Sequence, residues 1–158
     1  MKNLGNYKFL EVPYSMFVCL AIFLFSPMFV WAGSAGDLTP RVHPERLQEA
    51  QSFRNPFTTT AQIISKGKKL YEGKAFCSAC HGLEGAGGRS GGRITPSAAQ
   101  PPTNFADAAW QAARTDGEIF WILKHGSHGT DMVSYMPLYL SEEEVWHIVS
   151  YIRTFGDM

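Results

Sequence analysis

Two cysteines separated by two residues and followed at once by a histidine, Cys77-Ser78-Ala79-Cys80-His81, form the densest group of reactive side chains in the chain. Thiols at that spacing sit about one backbone turn apart. Both sulfurs then reach the same edge of a flat macrocycle, and each can add to a vinyl group as a thioether. The adjacent imidazole of His81 is carried beneath the ring centre, where it can ligate iron axially. The pattern predicts one covalent haem c, bound through Cys77 and Cys80 with His81 on the metal. Two other chemistries use parts of the same five residues. A redox dithiol wants a thioredoxin-like βαβ setting that the flanking sequence lacks, and it leaves His81 without a role. A zinc site would draw on His125-Gly126-Ser127-His128, a pair far more distant from Cys80 than the ligands of a compact finger are from one another.

The segments around the motif divide the chain into three. From Tyr14 to Ala32 the sequence is uncharged and rich in Phe, Leu, Ile and Val, with Lys2 and Lys8 ahead of it. This layout predicts a signal peptide over 1–32, with Val30-Trp31-Ala32 as a cleavage site and export to the periplasm. A retained membrane anchor is the competing reading, because the run approaches the ~20 apolar residues that span a bilayer; Pro13 and Pro27 shorten the usable helix and favour cleavage. Cys19 leaves with the leader as a free cysteine, so the exported chain keeps two cysteines, both used by the haem, and no disulfide framework. Residues 33–58, with Pro40, Pro44 and Pro56, read as an irregular arm or linker that wraps the surface, with one short helical turn over Glu45 to Ser52. Residues 59–157 read as a single small domain. The 14 Lys and Arg balance the 14 Asp and Glu, which argues against a nucleic-acid partner.

Within that domain the signals are helical. Thr59 with Gln62 reads as a capping box for a first helix of about Thr60 to Glu72, which delivers the chain to Cys77. Gly82, Gly85, Gly87, Gly88, Gly91 and Gly92 then make a loop, which suits backbone passing close to a flat ring edge. Pro96, Pro101 and Pro102 precede a short segment, Phe105 to Arg114. Thr115 and Glu118 box a helix that is apolar nearly all round and ends at Gly126. Ser141 and Glu144 box the last helix, whose Val145, Ile148, Val149 and Ile152 form one face. No strand alternation of useful length and no internal repeat is present, so the fold class expected is all-α.

From about Thr59 to Gly156 the order of parts resembles a class I c-type cytochrome, the small monohaem group. Gly67 and Tyr71 look like the glycine and aromatic at which that family's first helix crosses its last, with Tyr151 as the matching aromatic. Thr115-Asp116-Gly117-Glu118-Ile119-Phe120-Trp121 and Glu144-Val145-Trp146 look like bacterial exported members. The long glycine loop and the arm depart from the family. The resemblance implies three main helices around one haem and His/Met ligation, which raises the reduction potential. Two methionines compete for the sixth position. Met132, in Gly129-Thr130-Asp131-Met132, is similar to the family's Gly-Thr-x-Met segment; Met136 forms a Met-Pro pair of the kind common in bacterial members. Met132 is the favoured metal ligand beside His81. His125, His128 and His147 read as surface or hydrogen-bonded residues, and Lys66, Lys68, Lys69 and Lys74 as a solvated helix face able to steer acidic partners.

Function follows from coordination. With both axial positions filled by protein, one-electron shuttling between Fe(III) and Fe(II) is expected, with transient redox-protein donors and acceptors and no catalytic residues. The alternatives are a haem enzyme or ligand sensor with a labile sixth ligand, and an electron-transfer subunit of a larger membrane oxidoreductase.

Overall fold

Local signals in the sequence become caps in the structure, a computed structural model that describes residues 37–90 and 100–157. The leader over 1–32 with Cys19 and its cleavage site, and Gly91, Gly92 and Pro96 of the glycine loop, lie outside the described residues. The helices are α1 (Pro44–Ser52), α2 (Ala61–Glu72), α3 (Ser78–His81), α4 (Ala108–Ala113), α5 (Asp116–His125) and α6 (Glu142–Thr154), with 3₁₀ turns at Gly87–Ser90 and Phe155–Asp157. There is no strand among the described residues, and no helix among them is long and apolar enough to cross a membrane.

Both strong capping boxes form as expected. The Thr115 and Ser141 side chains accept from the backbone N–H of Glu118 and Glu144, whose carboxylates accept in return from the N-cap N–H. The first box does not: Thr60, not Thr59, is the N-cap, accepting from Ile63 N. The box had placed Gln62 at the third helical position; the helix starts one residue later and puts Ile63 there, a side chain that cannot reach back to the cap.

α2 and α6 make the largest interhelical interface, and they meet at Gly67. A Cβ there would stand 2.0 Å from His147 O and 2.8 Å from Tyr151 Cβ, so only glycine allows this crossing. Tyr71 packs edge-on against Tyr151 from the same crossing, ring centroids 5.3 Å apart. α5 lies against α6, with Phe120 stacked on Trp146 at 4.2 Å. The largest fully buried apolar side chains, Tyr71, Phe120, Leu140, Val145, Ile148 and Val149, come from these three helices and the turn before α6. Arg153 ties the C-terminal half of α6 to α4 and α5 through Asp116 Oδ1 at 2.6 Å, Gln111 O at 2.9 Å and Arg114 O at 2.6 Å.

Helix forms in the arm where expected, over Pro44–Ser52 against Glu45 to Ser52, but it is longer than one turn and buries side chains rather than lying wholly on the surface. α1 runs nine residues from Pro44, whose missing N–H and fixed φ suit the first helical position. Ala50 and Val42 are buried. α1 packs so closely on the start of α5 that a Cβ on Gly117 would lie 2.1 Å from Ala50 O. Asn55 Nδ2 donates to Ser150 Oγ at 2.9 Å, which fastens the end of the arm to α6.

Candidate haem site

α2 ends in a tight hairpin that sets the motif in place. Cys77 N donates to Tyr71 O at 2.8 Å and Ala75 N to Leu70 O at 2.9 Å, and the short α3 then turns through the motif, His81 N reaching Cys77 O at 2.9 Å. Gly82 follows at φ 76°, a left-handed conformation that stops the turn. The Tyr71 hydroxyl donates to Gly82 O at 2.9 Å, so the α2–α6 crossing also braces the far side of the motif.

Cys77, Cys80 and His81 share one wall of a cavity of about 400 Å³. Both thiols are free. Burial pushes the Cys77 thiol up to about 12, so an uncharged sulfur faces an apolar wall, the environment that suits a thioether. His81 is buried, and its ring stacks on Phe105 at 4.3 Å. Its Nδ1 lies 3.0 Å from Thr103 O. Burial, against the opposing hydrogen bond to Thr103, pulls His81 down to about 4, with the charge of Arg41 acting in the same direction. The ring is therefore neutral at pH 7, its proton on Nδ1 bonded to Thr103, and Nε2 keeps the lone pair a metal needs.

Met132 lines the same cavity and Met136 does not. The methionine loop is held from both ends. Ser127 N donates to Met132 O at 2.9 Å, Met132 N to Thr130 Oγ1 at 3.2 Å, and Tyr135 N to Leu123 O at 2.9 Å. The Tyr135 hydroxyl reaches across to Ala75 O at 2.9 Å, joining this loop to the hairpin before Cys77. The cavity thus brings together all four residues that sequence reasoning assigned to the cofactor: two thiols, an imidazole with a free lone pair and a soft thioether, around an apolar space. These residues fit a covalent haem.

Gly85 and Gly87 of the glycine loop have a reason of their own. None of its described glycines lines the cavity. A Cβ on Gly85 would meet the Phe155 ring at 2.8 Å, and one on Gly87 would meet Pro102 O at 2.4 Å. The close approach is to protein. His147 is buried, not a surface residue, and its Nε2 has no hydrogen-bond partner. His125 is exposed and rests on Trp121 at 4.2 Å. Among the described residues no group of three or more His, Cys, Asp or Glu is close enough to hold a metal ion, which removes the donor set that the zinc reading needs. Lys66, Lys68 and Lys69 are exposed along α2, and Lys74 pairs with Glu144 at 2.7 Å.

Arg41, Trp110, Arg114, Glu118 and Tyr135 also line the cavity, and no motif in the sequence marked them for it. Only Glu118 carried a signal, as a cap.

Among known proteins, the model of a family described as cytochrome c matches residues 64–156. A solved chain of the Kuenenia stuttgartiensis reducing HAO-like protein complex Kustc0457/Kustc0458 is similar at 29% identity and a TM-score of 0.51, over 63% of this chain and 46% of that one. This chain therefore spans less than half of that chain's length. No curated protein sequence matches.

Proposed function

This chain belongs to the cytochrome c family, and on that premise we propose that it is an exported one-electron carrier with a single haem c on Cys77 and Cys80, ligated by His81 and Met132. The observation that carries the proposal is the shared cavity, with the thiols and His81 on one wall and Met132 on the loop that Tyr135 ties to it. The bound group supplies a reversible Fe(III)/Fe(II) couple. The chain's residues hold that couple in one coordination state. Thr103 O fixes the His81 tautomer and ring plane. The Met132 sulfur is a soft donor that favours the reduced metal, and the apolar wall keeps water away. With His81 and Met132 both holding the bound group, the iron would have no open site for oxygen or peroxide, and partners would exchange electrons through small, transient contacts. Residues 1–32 act as the leader that takes the chain to the periplasm.

A second reading, as an electron-transfer subunit of a larger oxidoreductase, is favoured by the similar chain belonging to a protein complex. One preparation tests both. Protein made with a periplasmic haem-maturation system keeps its haem through acid-acetone extraction, gives a low-spin six-coordinate spectrum and barely responds to carbon monoxide. Haem lost on extraction rejects the covalent assignment; rapid carbon monoxide binding or peroxide turnover rejects the carrier in favour of an enzyme or sensor. Co-purification with a stable partner selects the subunit reading.

A further inference from the structure

The loop between α5 and α6 carries Met132 and Met136, and its fastenings differ in reach. Ser127 N to Met132 O, Thr130 Oγ1 to Ser127 O at 2.7 Å and Met132 N to Thr130 Oγ1 close the loop on itself. Tyr135 N to Leu123 O, with Ser134 Oγ to Lys124 O at 2.6 Å, ties it back to α5, the helix it has just left. The Tyr135 hydroxyl reaches further. It donates at 2.9 Å to Ala75 O, 60 residues away in sequence and two residues before Cys77. Bonds of the first two kinds leave the separation between the methionine loop and the wall of thiols and His81 unset; this one spans it. The Tyr135 side chain also lines the cavity that both walls share.

Haem attachment makes this bond matter more. Ala75 is buried, and two side chains offer its carbonyl a donor: the Tyr135 hydroxyl and, weakly, the Cys77 thiol at 3.9 Å. When the thiol adds to a vinyl group, sulfur bonds to one carbon and the thiol hydrogen goes to the other, with no net oxidation or reduction. The resulting thioether has no hydrogen to donate. Of the two donors only Tyr135 then remains, and a buried acceptor left without one is costly. We propose that Tyr135 is the positioning residue for the sixth ligand. Its hydroxyl straps the methionine loop to the attachment hairpin, and that strap sets how readily the iron opens to an outside ligand. The inference rests on the reading that this loop ligates the iron, and it holds for either methionine. Burial pushes the Tyr135 hydroxyl up to about 12, so it keeps the donated proton at neutral pH.

The experiment uses the haem-loaded protein and its Tyr135→Phe variant, which keeps the ring and removes the donor. Tyr139→Phe is the control: its ring stands edge-on to Tyr135 at 6.3 Å but is exposed at the surface. Three readouts are compared: the rate of carbon monoxide binding to ferrous protein, and the denaturant midpoints for loss of the sulfur-to-iron band and of helix. In Tyr135→Phe carbon monoxide is expected to bind about tenfold faster, the scale of one lost hydrogen bond. The band midpoint should fall by more than the helix midpoint, because the loop lets go before the helices do. Tyr139→Phe leaves all three at wild type. A wild-type carbon monoxide rate in Tyr135→Phe, or two midpoints that fall together, overturns the strap and leaves the ligation standing. Wild-type protein that lacks the sulfur-to-iron band overturns the ligation reading and this inference with it. Should Tyr135→Phe fail to accumulate, Tyr135→p-aminophenylalanine decides, since its N–H restores a donor to Ala75 O. Holoprotein with the wild-type carbon monoxide rate then supports the strap; fast binding, or failure to accumulate again, overturns it.

Discussion

Met132 and Met136 stand four residues apart on one loop, and their side chains meet different surroundings. Both pack against the hydrophobic core, but Met132 lines the cavity and Met136 does not. Replacing either by leucine conserves volume at a packing cost of less than ~1.5 kcal/mol, so the two changes separate ligation from packing. Met132→Leu is expected to abolish the near-infrared sulfur-to-iron band, lower the potential and open the iron to carbon monoxide; Met136→Leu leaves all three near wild type. The reverse pattern would move the ligand to Met136. At this scale the site was legible where chemistry demands fixed spacing, as in Cys77, Cys80 and His81. It was illegible where residues converge from distant parts of the chain. Arg41 and Thr103 lie 62 residues apart in sequence and carry no local pattern, yet one lines the cavity end and the other orients His81.

Helices were legible because their ends are written locally. Thr115 with Glu118 and Ser141 with Glu144 each place an acceptor for an orphan N–H, and the structure uses both. α1 was placed by its sequence but its burial was not, because burial depends on a partner: Ala50 looks unremarkable until the start of α5 packs on it. The crossing of α2 and α6 permits a sharp test. Alanine at position 67 gains up to ~1 kcal/mol of helix propensity, but its Cβ would stand 2.0 Å from the backbone oxygen of His147, an atom that cannot swing away. Overpacking costs of ~1–3 kcal/mol, at the upper end for a backbone clash, outweigh that gain. Gly67→Ala should lower the midpoint of denaturant unfolding of the haem-loaded protein, and a raised midpoint would refute the geometry. α6 also carries a pH dependence. Burial, then the charge of Lys66, holds His147 below its ordinary 6.5, against the weaker pull of Glu143 and Glu144. The unfolded chain then binds the proton more readily, so the contribution is absent well above pH 6.5 and becomes a loss of stability as pH falls below it. His147→Gln should flatten the fall in unfolding free energy between about pH 6.5 and the lowered folded value. An unaltered slope would show that other groups set it.

The molecule as a whole is small, and its helices close around a space that protein does not fill. The space of about 400 Å³ opens to solvent, and a bound group would exchange wetted apolar wall for packed contact, a gain set against the ~5–15 kcal/mol that holds a typical domain together. The walls of the cavity come from the arm, the hairpin after α2, α5 and the methionine loop, so collapse of the space would disturb every one of them. Covalent attachment bears on this balance in two ways. It supplies apolar volume for the core, and it joins Cys77 and Cys80 to a rigid body that the unfolded chain must also carry. The sequence signalled the need for such a body through the spacing of Cys77, Cys80 and His81; it did not signal that the arm would form part of the enclosure. The double change Cys77→Ala with Cys80→Ala should therefore yield a chain with much weaker far-ultraviolet helical signal and no cooperative thermal transition. Amide exchange should be fast even in α6, the most buried helix. Adding free haem in excess should restore part of the helix through His81 and Met132, and a His81→Ala background should cancel that rescue. A doubly substituted chain that keeps native helix content and unfolds cooperatively without haem would show that the helices support themselves and that the cavity is a preformed receptor.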